Sequence, residues 1–292
     1  MIFNKLIFNK INYSKLQNYI KKKNNIKNFN YNKVYHIHNS FHLGDNVFNF
    51  IAFKIIYNYI EKNNITIFYY AKEEYLNQLN EFFNFKNIIL LSLKEKPSNS
   101  IELWINNEFF CYRHDLQKMP LNYNKYLKNF FNIVFIKLYF NIKINYFYYE
   151  DKTLLEYYHN LDNKFKNLDI LIINSEPQSN QYNYNKLEWD NYITKLNNLF
   201  NIATTTKVNN ILCTSDYNLT IKYIAALSIK CKIVIAINSG VLPGLLNIYT
   251  LLNVKTFYIF DKNNYYSYPN FKSKNNINDI SIEELKGLIY TS

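Results

Sequence analysis

The chain has 292 residues, 48% hydrophobic and 18% aromatic, which is ample material for a core and rules out a mainly disordered chain. Lysine and arginine exceed aspartate and glutamate by 34 − 22 = 12, but Arg113 is the only arginine, and arginine is the residue best suited to two-pronged base and phosphate contacts; the charge reads as a solvated face, and nucleic acid is a disfavoured partner. The 3 cysteines, Cys111, Cys213 and Cys231, make no CxxC pair and no His/Cys cluster, which argues against a disulfide scaffold or a structural zinc site and suits a reducing compartment.

Lys, Asn, Ile, Tyr and Phe are all overused, an excess that A/T-rich codons share, so exceptions to the bias are informative. An average chain of this length holds about 20 glycines. This one keeps 4, namely Gly44, Gly240, Gly244 and Gly287. The first three fall in two loops between a strand-like and a helix-like segment, where the backbone is expected to need glycine to turn or to approach a ligand. The start, Met1 to Lys5, is interrupted by charge and lacks an apolar h-region, so no secretory signal is expected. No stretch reaches about 18 uninterrupted apolar residues, so no membrane span is expected either. The expected location is cytoplasmic, with peripheral membrane contact left open and the oligomeric state not legible.

In chain order, Lys33–His38 is a β-rich run that ends in the polar loop Asn39–Gly44. A helix is predicted from Asn46 to about Lys62, with Val47, Phe50, Ile51, Phe53, Ile55 and Ile56 on its apolar face. Ile65–Ala71 reads as a strand, Glu73–Phe83 as a helix, Ile88–Leu93 and Ile101–Ile105 as strands, and Tyr123–Tyr139 as a helix. A tyrosine-rich, charged stretch from Asn145 to Asn167 reads as a linker containing the helix Lys152–His159. The rhythm then restarts. Leu168–Asn174 is a buried strand, Glu176–Asn185 a loop, Leu187–Phe200 a helix and Ile211–Thr214 a strand. Asp216 is placed to cap a helix over Leu219–Ile229. Lys232–Ile237 is the most regular buried strand, followed by the loop Asn238-Ser239-Gly240 and a helix-like Leu242–Leu252. Thr256–Phe260 is a last strand, and Asp279–Ile289 a closing helix capped by Ser281. The expected fold class is α/β, two Rossmann-like domains facing a cleft, over residues 1–150 and 151–292.

Three loops carry candidate chemistry. In Asn39–Val47, Gly44 is followed by Asp45 in the first turn of a helix; a carboxylate there can take a proton from a hydroxyl, or it can only cap the helix. Ser40, His42, Gly44 and Asn46 would line the same mouth. His36, His38 and His42 crowd the region, but no carboxylate completes a metal-ligand spacing, so no metal is expected. In Ile235–Gly244 a strand, a small polar tripeptide (Asn238, Ser239, Gly240) and a helix start suit an anion, although the loop is neither a P-loop nor a GxGxxG. The third loop, Asn174–Gln181, offers Asn174, Ser175 and Gln178, and Thr214, Ser215 and Asp216 form a similar polar group.

Taken together, the loops resemble the GT-B glycosyltransferases, and most of all the heptosyltransferase (ADP-heptose–lipopolysaccharide) family. That family places L-G-D-x-[VIL] after its first strand, here Leu43-Gly44-Asp45-Asn46-Val47, and D-S-G or D-T-G after a strand of its second domain, here Asn238-Ser239-Gly240. The chain departs from it at Phe41 and His42, where small hydroxyl residues are usual, and at Asn238, where the family has Asp. The resemblance implies a nucleotide-sugar donor on the C-terminal domain, a glycan or other hydroxyl acceptor against the N-terminal domain, and inverting transfer with Asp45 as base. It implies neither a metal nor a cofactor, the nucleotide-sugar being a substrate. The other readings are a pyruvyltransferase of GT-B shape and a non-catalytic sugar- or nucleotide-binding module.

Overall fold

The computed structural model of the protein describes residues 33–103, 148–178, 181–262 and 270–290. The predicted helix 123–139, the later part of the strand expected at 101–105, and Ser179 and Asn180 of the third loop lie outside the described residues.

Two separate parallel sheets organise the chain. The first has β1 (Val34–His38), β2 (Thr66–Ala71), β3 (Ile88–Ser92) and β4 (Ile101–Glu102) in the order β3-β2-β1-β4. The second has β5 (Ile170–Ile173), β6 (Ile202–Thr204), β7 (Ile233–Ile237), β8 (Thr256–Phe260) and β9 (Phe271–Lys274) in the order β6-β5-β7-β8-β9. Every pairing is parallel. β5, β7 and β8 are apolar or β-branched and buried along their whole length. A strand covered on both faces requires that pattern. The α/β class with two Rossmann-like sheets is therefore the architecture of the protein.

On the first sheet lie α1 (Leu43–Ile55), α2 (Tyr57–Lys62) and α3 (Glu73–Phe82). The helix expected from Asn46 begins at Leu43 and breaks at Ile56, whose φ of −103° and ψ of 9° leave the helical region. Phe50 and Phe53 meet Tyr69 of β2 edge-on, with ring centroids 4.9 and 5.9 Å apart. Each such ring taken from water contributes about 2–3 kcal/mol.

On the second sheet lie α4 (Thr153–His159), α5 (Lys186–Asn197), α6 (Ile221–Ser228), α7 (Ile248–Asn253) and α8 (Ile282–Tyr290). The Ser281 hydroxyl accepts from Glu284 N–H at 3.1 Å, as expected of the cap of the closing helix. Three expectations change here. Ile211–Thr214 is not a strand: only Cys213 bridges Thr204, and Ile202–Thr204 takes the sheet position instead. Asp216 does not cap α6. It lies in a 3₁₀ turn (Ser215–Tyr217) and pairs with Lys207 at 3.4 Å, while α6 begins after Thr220. Leu242–Leu252 is not one helix but a 3₁₀ turn (Leu242–Leu245) followed by α7, whose cap is Asn247.

One hydrophobic cluster runs across both sheets, from Phe50 and Phe82 to Ile221, Leu242 and Leu171. Tyr149 joins the halves at its centre. Its ring meets Phe82 and Phe83 at 5.5 and 5.4 Å, its hydroxyl donates to the Gly244 carbonyl at 2.7 Å, and its backbone pairs with Leu246 and Ile248. Gln78 of α3 accepts from the Ile221 N–H at 2.9 Å, so a residue of the first half caps a helix of the second. A buried pair, Lys222–Asp151 at 3.5 Å, ties α6 to the start of α4.

Candidate active site

In an open parallel sheet, ligands bind outside the carboxyl ends of the strands where the strand order reverses. In the first sheet that point lies between β1 and β4, and in the second between β5 and β7. The loops singled out in the sequence after β1, β5 and β7 therefore stand at the two switch points.

Each of these strands is followed at once by a buried asparagine: Asn39, Asn174 and Asn238 are 0%, 1% and 2% exposed. A buried amide must be satisfied, and these are spent on the scaffold. Asn39 Oδ1 accepts from Phe41 N–H at 2.9 Å. Asn174 Oδ1 accepts from Thr205 and Thr206 N–H at 3.2 and 2.9 Å, and its Nδ2 donates to the Thr206 carbonyl at 3.0 Å. Asn238 Nδ2 donates to Asp261 Oδ2 at 3.0 Å, and its N–H to the Phe260 carbonyl at 3.1 Å. Asn46 is fully buried as well. Its Nδ2 donates to the His42 carbonyl, and it accepts from the Tyr69 hydroxyl, which also receives Asn49 Nδ2. Thr214 is 1% exposed and its N–H donates to Thr204. Asn46, Asn174, Thr214 and Asn238 thus serve as supports behind the surface.

Asp45 is the third residue of α1 and half-buried. The N-cap is His42, whose side chain makes no cap bond. The Asp45 position lies at the positive end of the helix dipole. Ser40 Oγ donates to Glu102 Oε1 at 3.5 Å. His36 Nδ1 and His38 Nδ1 are hydrogen-bonded to Tyr70 and Ser100. Among the described residues no three His, Cys, Asp or Glu side chains form a metal-holding group.

The glycine loops of the two halves meet. A Cβ placed on Gly44 would lie 3.1 Å from Gly240 Cα, and one on Gly240 would lie 3.3 Å from Gly44 N. No described glycine has a positive φ; the left-handed positions are taken by Asn64, Asn167, Asn209 and Asn218. Gly44 is therefore not kept for a left-handed turn. Gly44 and Gly240 are both small because two backbones touch. Beside this contact His42 Nδ1 hydrogen-bonds Gln178 Oε1 at 3.0 Å, a second bridge between the halves.

The polar groups left at the surface of the second mouth are Ser175, Gln178, Ser215 and Asp216 from the expected set, joined by Thr206 and Lys207. Thr205 and Thr206 were missed because the strand ahead of them is only three residues long. Thr206 Oγ1 donates to Ser175 Oγ at 3.3 Å. The Ser239 hydroxyl is buried and has no partner.

No protein-family model matches the chain, and no curated protein matches it. Solved glycosyltransferase structures do resemble it. The glycosyl transferase family 9 protein from Veillonella parvula DSM 2008 has 13% identity and a TM-score of 0.49, with 88% of this chain and 91% of that one covered. The E. coli heptosyltransferase WaaC, solved with ADP-2-deoxy-2-fluoro heptose and with ADP, has 10% identity and a TM-score of 0.49, with 88% of this chain and 99% of that one covered. Likeness at that level says nothing about substrate.

Proposed function

We propose that the protein is an inverting, metal-independent glycosyltransferase that moves a sugar from a nucleotide-sugar to a hydroxyl of a glycan or other acceptor. The observation that supports this best is the contact of Gly44 with Gly240, which sets the turn carrying Asp45 against the mouth of the second sheet. In this reading residues 1–150 hold the acceptor and 151–292 the donor. Asp45 accepts the proton of the acceptor hydroxyl, whose oxygen attacks the anomeric carbon. The bond from that carbon to the nucleoside diphosphate breaks on the opposite face, and the diphosphate leaves with the electron pair. The reaction inverts configuration and leaves Asp45 protonated until it exchanges with solvent.

The donor lies along Ser175, Gln178, Ser239 and Ser215, with Thr206 and Lys207 at the rim. Hydroxyls, amides and one lysine suit sugar oxygens and a diphosphate, and fixed donors aimed at the leaving group lower the barrier. The donor is a substrate and no cofactor is needed. The setting proposed is the cytoplasm.

The test is incubation of the protein with ADP-, UDP- and GDP-sugars, reading thermal shift and released nucleoside diphosphate together. Binding with release or transfer supports the proposal. Binding without turnover would make the protein a sugar- or nucleotide-binding module, and no binding at all would overturn the donor site.

A further inference from the structure

β7 and β8 run in register, with Ile237 beside Phe260, so the next residues, Asn238 and Asp261, sit side by side where the two strands leave the sheet. Asp261 was not legible as a site residue in the sequence. Its side chain is 2% exposed and its Oδ2 accepts from Asn238 Nδ2 at 3.0 Å. A buried carboxylate is costly unless donors hold it, and removing such a donor or the charge itself disturbs its neighbours strongly. The next residue along the chain from Asn238 is Ser239, whose hydroxyl is buried without a partner, and the one after is Gly240, which touches Gly44. A buried hydroxyl with no partner in the protein is uncommon, and beside a cleft it has a bond left for a ligand atom or a water.

We infer that Asp261 is the positioning residue of the 238–240 turn: by holding the Asn238 amide it fixes the Ser239 hydroxyl for an oxygen of the donor's nucleoside diphosphate. The inference rests on the proposed donor site. Asp261 works through Asn238 and has no direct role in the chemistry.

Charge exchange provides the test. Wild type, Asp261→Asn, Asn238→Asp and the double exchange Asn238→Asp/Asp261→Asn are compared for thermal unfolding and for affinity toward ADP, UDP and GDP by calorimetry. Asp261→Asn should fold and bind the preferred diphosphate about tenfold more weakly, the scale of one charge-assisted hydrogen bond. Asn238→Asp sets two carboxylates against each other and should lose both stability and affinity. The double exchange restores one amide facing one carboxylate and should return affinity to within about threefold of wild type. Ser239→Ala should weaken binding without a comparable loss of stability.

A merely structural Asp261 would lower the unfolding temperature and leave diphosphate affinity in the folded variant unchanged, and that result overturns the inference. So does a folded double exchange that fails to regain affinity. If Asp261→Asn does not fold, the double exchange alone decides. Failure of wild type to bind any of the three diphosphates overturns the donor site first and the inference with it, before any variant is compared.

Discussion

The mouths of the two sheets are built alike and equipped differently. Both end a central strand in a fully buried asparagine that ties down the following loop, Asn39 in the first and Asn174 and Asn238 in the second. In the first mouth a carboxylate, Asp45, sits half-buried in the first turn of a helix. In the second, Asp261 is turned inward, and the outward groups are hydroxyls, an amide and the Lys207–Asp216 pair. In the proposed reading this separates the side that takes a proton from the side that holds the donor.

The largest expected effect tests that separation directly. Asp45→Asn keeps the size of the side chain and removes the basic carboxylate. Transfer should fall about 10²–10⁴-fold, the usual contribution of a general base. Unfolding in urea should change by less than about 1 kcal/mol, the scale of one charge at a helix N-terminus. Near wild-type turnover would move the base elsewhere, His42 being the next group in the same mouth.

The seam between the mouths comes next. A Cβ on Gly244 would fall 2.4 Å from Ile221 Cγ2, a stiff branch on a buried helix start. Gly244→Ala should therefore cost about 1–3 kcal/mol by overpacking. Combined with Ile221→Ala it should cost less than it does alone, because the clashing methyl is gone; additive losses in equilibrium unfolding would show that the clash is not the cause. Asn174→Ala should cost about 1–3 kcal/mol by stranding the Thr205 and Thr206 N–H groups. An unchanged unfolding midpoint there would return Asn174 from scaffold to ligand contact.

The smallest effect concerns acid. Lys272 lies 2.7 Å from Glu284 and holds its carboxyl below the ordinary value of 4.5, chiefly through that hydrogen bond. A carboxyl whose folded value is depressed contributes stability that is fully present above its unfolded value and lost as pH falls through the folded one. The edge formed by β9 and α8 should loosen below about pH 4.5, by less than about 1 kcal/mol because the lysine is half in water. The matching pair of the first half, Lys94–Glu73, is 82% and 67% exposed and should contribute less still. Amide exchange of β9 against β3, followed from pH 6 to pH 3, separates the two edges.

What the sequence revealed follows the same physical lines. Long apolar runs such as Lys232–Ile237 announce a strand buried on both faces, and the restart of the rhythm at Leu168 announces a second sheet. β6 is three residues long and β9 reads Phe-Lys-Ser-Lys, so neither carries enough apolar pattern to be seen. Ile211–Thr214 carries that pattern and yet touches the sheet at one residue only. At the site, sequence located the loops but could not tell support from surface. An asparagine looks the same whether its amide faces a ligand or is used up by neighbouring threonines. Glycine scarcity pointed to Gly44 and Gly240, while the reason, contact between two distant backbones, exists only in three dimensions. The common reason, a positive φ, is met here by asparagine, the one abundant residue that tolerates it.

The continuous core has a consequence for how the chain comes off the ribosome. Phe82 and Phe83 cover themselves with Tyr149, and Phe82 also borders the space at Gly244, far downstream in the chain. At about 5–20 residues per second, Tyr149 follows the end of the first sheet at Glu102 by about 2–9 seconds and Gly244 by about 7–28 seconds. Until then Phe82 and Phe83 lack those partners. The nascent first half is thus the stage at which the chain most needs a chaperone, and pulsed labelling of stalled nascent chains would find it sticky until the Leu242–Leu245 turn has emerged.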